Sequence, residues 1–184
     1  MLEINFNPFP LLETERILLR QMTKDDAEEI FFLRSDETVL KYLNKEPAKN
    51  KAEVEEFINR INQSVVSNEA IMWGIALKEN PSVCIGYICY WNIRKEHYRA
   101  EIGYVLHPDY WRKGIMKEVI VKIIDYGFTS MHLHSIDAVI NPGNDASAAL
   151  LESLGFTKDA HFKEDFFFNG KFWDTVIYSL LNKS

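Results

Sequence analysis

Arg112-Lys113-Gly114 stands directly ahead of a run in which Met116, Val119, Ile120, Ile123, Ile124 and Phe128 recur at three- and four-residue steps. That spacing puts the apolar residues on one helical face and leaves Lys117, Glu118, Lys122 and Asp125 on the other. A helix opening out of a glycine turn offers free backbone N–H groups and the positive end of its dipole. With cations on either side, the start of this helix suits a phosphate-bearing ligand.

Two further features converge with it. Glu101 is an acid inside an apolar strand, five residues before that strand's C-terminal end at Leu106. Asn141-Pro-Gly-Asn144-Asp-Ala-Ser147 marks the passage from the next strand into the next helix. Ser147, Leu150, Leu151 and Leu154 sit at i, i+3, i+4 and i+7, so the serine lies on the buried stripe at the first turn, where a hydroxyl needs a partner. Each feature also has a plain structural reading. Ser147 is then an ordinary first-turn serine bonding to nearby backbone. Glu101 faces solvent or pairs with Arg99, Asn144 caps a helix, and Arg112, Lys113 and Lys117 form a solvated face. Their order and spacing carry the argument.

The surrounding pattern supplies the elements that must position these residues. Ile17 to Arg20 is a short strand, and Thr23 to Asp26 approaches a capping box ahead of a helix bearing Ala27, Ile30, Phe31 and Arg34. Asn50 to Glu53 is a second cap signature, followed by a helical stripe of Val54, Phe57, Ile58, Ile61 and Val65. The period then changes to two: Ile71, Trp73, Ile75 and Leu77 make one strand, Val83 to Trp91 a second, and Asn80-Pro81-Ser82 the turn of an antiparallel hairpin. Residues 92–98 read as a loop. Arg99 to Leu106 alternates, with Ala100, Ile102, Tyr104 and Leu106 on one face and Arg99, Glu101, Gly103 and Val105 on the other. Ser135 to Asn141 is a strand, Asn144 to Leu154 a helix closed by Gly155, and Asn169-Gly170 joins the last β-prone runs between Phe166 and Leu181 as a hairpin. The segments 99–106, 114–128 and 135–141 form a βαβ unit, which demands parallel strands. A mixed α/β fold follows, with one parallel pair in a mostly antiparallel sheet and helices on both faces. The C-terminal ends of strands 99–106 and 135–141 then share one crevice.

Composition narrows the classes. A chain of 184 residues with 47% hydrophobic and 13% aromatic residues predicts one folded domain over residues 1–184. No apolar run approaches membrane-spanning length and no secretory leader is visible, so the expected partner list has no membrane and the expected compartment is cytoplasmic. A net charge of −6 argues against nucleic acid. Cys84 and Cys89, at odd spacing in one strand, are expected on opposite faces as half-buried thiols, about 16 Å apart. Phosphate-loop, dinucleotide and nucleophile-elbow motifs are missing. His132 and His134 have no third ligand at metal spacing, and His97, His107 and His161 stand alone, so no metal is expected.

Taken together, these residues resemble the GNAT superfamily of acyl-CoA-dependent N-acetyltransferases, and within it the ribosomal-protein N-terminal alanine acetyltransferases. The similarity runs over nearly the whole chain: Leu12 to Arg20 resembles the opening strand, Arg99 to Tyr104 the central strand, Tyr110 to Gly114 the CoA loop, Asn141 to Ser147 with Leu154-Gly-Phe156 a second CoA element, and Asp174 to Leu181 the closing strand. The resemblance implies a sheet whose parallel pair splays at the cofactor site. It implies that backbone groups of Tyr104, Val105 and Leu106 pair with the pantetheine arm. Amides of Arg112, Lys113, Gly114, Ile115, Met116 and Lys117 would hold the pyrophosphate, and Asn141, Asn144 and Ser147 would line the thioester side. The reaction implied is direct acyl transfer from acetyl-CoA to a primary amine, either a protein N-terminus or a small amine. Glu101 would take the proton, the Val105 N–H would meet the oxyanion, and Ser147 would serve the leaving thiolate. A catalytically inactive acyl-CoA-binding or sensing domain is the alternative.

Two departures matter. Trp111 stands where the superfamily has Arg or Gln, and Met116 where it has Gly or Ala, a bulk expected to narrow the approach to the pyrophosphate. The tyrosine that many relatives use as general acid has no match, which leaves Ser147 or water. The acidic residues Asp25, Asp26, Glu28, Glu29, Asp36 and Glu37 fit an acceptor site or a solvated helix. Phe166, Phe167, Phe168, Phe172 and Trp173 fit core, acceptor pocket or a homodimer contact.

Overall fold

The alternation of Arg99–Leu106 is the clearest pattern in the chain, and the fold is arranged around it. The computed structural model describes residues 1–183. Its strands are β1 (Leu12–Glu13), β2 (Ile17–Arg20), β3 (Ile71–Leu77), β4 (Gly86–Arg94), β5 (Arg99–Leu106), β6 (Ser135–Ile140), β7 (Thr157–Phe168) and β8 (Lys171–Leu181). They form one sheet in the order β1-β2-β3-β4-β5-β6-β8-β7. Every pairing is antiparallel except β5 with β6.

The helices are α1 (Ala27–Ser35), α2 (Glu37–Leu40), α3 (Lys51–Val66), α4 (Ile115–Thr129) and α5 (Asp145–Ser153). Local chemistry starts them where the sequence indicates. Thr23 and Asp26 form a capping box ahead of α1, and the Asn50 side chain accepts from Glu53 N at 3.0 Å at the start of α3. Their apolar stripes then pack on opposite faces of the sheet. α4 and α5 cover a core of Trp73, Ile88, Tyr90, Ala100, Ile102, Leu106, Val119, Ile120 and Ile123. α1 and α3 cover Met72, Cys84, Tyr87, Cys89 and Val105 with Ile30, Leu33, Val54 and Ile58. The even and odd positions of β5 divide between these cores as its alternation requires.

Two bulges in β4 depart from simple alternation. Ile85 N donates to Ile75 O at 2.8 Å although Ile75 is already opposite Gly86. Two residues therefore face one, and the side-chain alternation slips by a residue. Cys84 and Cys89, expected on opposite faces, both fall in the α1/α3 core, buried and free. Burial pushes each thiol up to about 12, which makes both inert as nucleophiles. The second bulge lies between Trp91 and Arg94, where Asn92 takes φ 47°. It brings Arg94 opposite Arg99 and so onto the same face.

Three segments extend or correct the sequence reading. The strand expected at 83–91 runs from Gly86 to Arg94, and a 3-10 turn at Lys95–His97 completes what reads as loop. α2 is short and carried by its Asp36 cap, whose carboxylate accepts from Thr38 N and Val39 N. β7 begins at Thr157, well before Phe166. Its residues are mostly exposed and two register shifts interrupt it, so no period marks it in the sequence.

Candidate active site

β5 and β6 are paired only over Arg99↔Ser135, Ala100↔Ile136 and Glu101↔Asp137. Beyond Glu101 they part: β6 stays with β8 as far as Ile140 while β5 continues along β4 to Leu106. Ladder geometry decides what β5 offers to that opening. His107 N bonds Ile85 O at 2.8 Å, and hydrogen-bonded pairs alternate along an antiparallel ladder, so Val105 pairs with Tyr87 in the same way. The N–H groups of Tyr104 and Leu106 point the other way, toward the opening. Val105, expected to offer its amide, instead has it committed to β4.

At the far end of the opening the turn before α4 carries two left-handed residues, Arg112 at φ 58° and Gly114 at φ 75°. Such turns gather successive N–H groups into an anion-binding concavity. The first amide to bond back is Glu118 N, to Gly114 O at 3.1 Å. Those of Ile115, Met116 and Lys117 precede it and have no carbonyl within the helix to reach. Gly114 supplies no side-chain cap. Met116 does not narrow this site, because its side chain is buried in the core under α4. Trp111 has a structural use: its indole N–H donates to Leu106 O at 2.7 Å and ties the turn to the end of β5. Arg16 is a residue the sequence reading did not single out. Its guanidinium donates to Lys113 O at 3.1 Å and pairs with Glu118, which also accepts from Thr14. Burial opposes ionisation of Glu118, but these donors outweigh it and hold the carboxyl below its usual range.

On the α1/α3 side of the opening the charges cluster. Asp137 is buried and accepts from both Arg94, at 2.7 Å, and Arg99. Arg99 is thereby taken from Glu101, which has Asn92 Nδ2 at 3.5 Å instead. Desolvation, with Asp137 alongside, raises the Glu101 carboxyl to about 6 despite the Asn92 hydrogen bond and the nearby Arg94. A carboxyl of that kind is ionised at neutral pH yet basic enough to accept a proton. Gly103 follows it on the same face, where a Cβ would meet Cys89 Sγ at 3.2 Å, so no side chain fills the floor beside Glu101.

On the α4/α5 side, Asn144 caps α5 by accepting from Ser147 N at 3.3 Å. Asn141 is buried and accepts from Asn44 at 2.9 Å. Ser147 is half-buried at the first turn. The Tyr104 hydroxyl is buried with no hydrogen-bonded partner among the described residues, and Ser147 is the polar side chain that faces it. Burial raises the Tyr104 pKa, so this hydroxyl stays protonated.

Residues 16–157 match the acetyltransferase (GNAT) domain family. The chain belongs to that family. This acetyltransferase is 38% identical over 176 residues to the uncharacterized N-acetyltransferase YoaA of Bacillus subtilis (strain 168), covering 94% of this chain and 97% of that protein. It is 26% identical over 169 residues to the spermidine N(1)-acetyltransferase of Vibrio cholerae, covering 91% and 95%. The crystal structure of a ribosomal-protein-S5-alanine acetyltransferase from Vibrio fischeri superposes with a TM-score of 0.79 at 27% identity, over 95% of this chain and 98% of that one. The spermidine N-acetyltransferase of Vibrio cholerae in complex with CoA and spermine gives 0.80 at 26% identity, over 91% and 96%.

Several acidic residues of the acetyltransferase that fitted an acceptor site have structural partners. Asp26 is buried against Arg20, Asp36 caps α2, and Glu28 pairs with Lys51. His161, isolated in the sequence, lies with Nε2 2.7 Å from Asp174. Phe166, Phe167 and Phe172 are exposed on the projecting β7–β8 hairpin. No helix among the described residues is long and apolar enough to cross a membrane.

Proposed function

We propose that this acetyltransferase transfers an acetyl group from acetyl-CoA directly to a primary amine, with Glu101 as general base. The observation that carries this reading is Glu101 itself: a partly desolvated carboxyl titrating at about 6, at the rung where β5 and β6 part. Most primary amines have a pKa near ~10 in water, so a nucleophilic amine must lose a proton, and Glu101 accepts it directly or through water.

The chain's own groups fit an acyl-CoA. The unbonded amides of Ile115, Met116 and Lys117, with Arg112, Lys113 and Gly114 curling the turn, suit the pyrophosphate. The open edge of β5 at Tyr104 and Leu106 suits an extended pantetheine arm, paired like an added strand. Val105 is left out because its amide is directed at Tyr87. The same open-edge N–H groups suit the oxyanion of the transition state. Asn141, Asn144 and Ser147 stand at the end of β6 beside the opening, and the Ser147 hydroxyl, backed by Tyr104, is the proton source for the departing thiolate. The acceptor class stays open between a protein N-terminus and a small amine.

Calorimetric titration with acetyl-CoA, followed by thiol-release assays over a panel of amines and N-terminal peptides, tests the reading. Micromolar binding with release on at least one amine is expected. Binding with no release on any amine would favour a non-catalytic acyl-CoA-sensing domain.

A further inference from the structure

Trp91 and Glu101 are partners in the β4–β5 ladder, so their side chains share the α1/α3 face. The neighbouring pair on that face, Cys89 with Gly103, lies toward the helices, and Cys89 is buried in the α1/α3 core. Trp91 is 49% exposed. Its rung is thus the first outside the cover of the helices, and an amine reaching Glu101 from solvent passes the indole. The pyrrole edge leans across to β5, where a Cβ on Gly103 would stand 3.8 Å from Nε1 and 4.0 Å from Cδ1. Glycine inside a strand is a place where a ligand can approach the backbone closely. The other three tryptophans spend their indole N–H groups on backbone carbonyls: Trp73 on Pro10 and Trp111 on Leu106, at 2.7 Å, and Trp173 on Phe168, at 3.1 Å. Trp91 has no such carbonyl among the described residues, and its N–H turns to the Glu101 carboxylate. The next pair along the ladder, away from the helices, is Arg94 with Arg99, both partly exposed and sharing the single carboxylate of Asp137.

We propose that Trp91 is the acceptor-recognition residue of this site, and that it selects a primary amine carrying a planar aromatic or heteroaromatic ring. The proposal rests on the acetyltransferase reading above and narrows its acceptor. The amine meets Glu101 while the ring lies over the bare backbone of Gly103, against the indole. A lone exposed aromatic is ordinary on a protein surface. Trp91 differs because it is opposite the base, with its edge over a strand position that has no side chain. A planar ring fits so shallow a space, and an aromatic pair gains about 2- to 12-fold in affinity beyond the area it buries. A saturated ring of the same size is thicker and gains only the burial. A linear polyamine is disfavoured for a separate reason. Its further ammonium groups would lie beside Arg94 and Arg99, two guanidiniums held by one carboxylate, and like charges so placed discriminate against a ligand.

The test is a thiol-release assay on the full chain with acetyl-CoA and three acceptors: phenethylamine, its ring-saturated counterpart cyclohexylethylamine, and spermidine. The kcat/KM for phenethylamine is expected to exceed that for cyclohexylethylamine about fivefold, and that for spermidine about tenfold. Trp91→Ala should bring the ratio of the two ring amines to about 1 by raising the KM for phenethylamine, with the KM for acetyl-CoA unchanged. Trp91→Phe, which keeps an aromatic face, should retain most of the ratio, and it carries the test if the alanine variant melts early. No preference for phenethylamine in the unaltered protein, a preference that survives Trp91→Ala, or spermidine as the better acceptor overturns the proposal. Thiol release on other amines but on neither ring amine overturns it while leaving the acetyltransferase reading intact. Failure to bind acetyl-CoA, or binding with no release on any amine, overturns both.

Discussion

Glu101 and Asp137 stand side by side at the last paired rung of β5 and β6, two carboxylates on one face of the sheet. Their fates differ because their partners differ. Asp137 holds two arginines, and Glu101 is left with an asparagine and a partly desolvated site. The first becomes a structural anchor and the second a base.

Activity should therefore follow the Glu101 carboxyl. Its site raises it to about 6, so kcat/KM is expected to fall as pH drops through 6, where the base protonates, and to level off above. Glu101→Gln should lower kcat by roughly 10²- to 10⁴-fold, with acetyl-CoA affinity nearly unchanged. Equal turnover of the variant at saturating substrate, from neutral pH upward, removes Glu101 from the role.

Asp137→Asn separates the anchor from the base. Asp137 is buried but its two arginines reach solvent, so the loss of these charged hydrogen bonds should cost about 1–2 kcal/mol in denaturant unfolding. The neighbouring negative charge also disappears, and Arg94 and Arg99 are released toward Glu101. The acid limb of the pH profile should move below 6. An unmoved limb would show that Asp137 does not act on Glu101.

At Gly114 the constraint is backbone conformation. A Cβ there would meet only Arg16 Nη2, at an ordinary 3.7 Å, but φ is 75°. Gly114→Ala should cost about 1–2 kcal/mol from the left-handed geometry alone. Acetyl-CoA binding should weaken as well, because relaxing φ turns the amides of 115–117. Unchanged affinity by calorimetry would detach the turn from the pyrophosphate.

Gly127, inside α4, poses the opposite case. Gly→Ala within a helix ordinarily stabilises by about 1 kcal/mol. Here a Cβ would fall 2.4 Å from the Tyr90 hydroxyl oxygen, on a fully buried ring whose O–H donates to Ile123 O at 2.8 Å. Gly127→Ala should destabilise by about 1–3 kcal/mol. Tyr90→Phe in the same chain should recover part of the loss, which a thermal-melting double-mutant cycle would measure.

Among the described residues the Tyr104 hydroxyl has no partner at hydrogen-bonding geometry, and Ser147 is the polar side chain that faces it. Tyr104→Phe should thus leave stability within about 1 kcal/mol. If the hydroxyl backs Ser147 at the leaving thiolate, kcat should fall with KM for acetyl-CoA unchanged, and Ser147→Ala in that background should add little. Full additivity of the two variants would separate the hydroxyls.

Much of this architecture was legible in the residues. The alternation of Arg99–Leu106 sorted its side chains correctly between two cores, the stripe from Met116 to Phe128 marked a helix with its free end at Gly114, and Asn169-Gly170 announced the last hairpin. These are local patterns, set by periods of 2.0 and 3.6 residues and by turn chemistry within a few positions. The bulges at Ile85–Gly86 and Trp91–Arg94 were not legible, because a bulge is a mismatch between two strands and neither strand alone displays it. They decided that Cys84 and Cys89 share a face and that Arg94 reaches Asp137. The direction of the Val105 amide had the same origin, since it depends on the register with β4. Arg16 and Asn44 reach the site from 97 positions away, on Lys113 and on Asn141. By itself the sequence determined the elements, the faces of the central strand and the family they resemble. Only the tertiary structure decided which carboxylate is anchored and which is left basic, because that turns on contacts between strands and helices far apart along the chain.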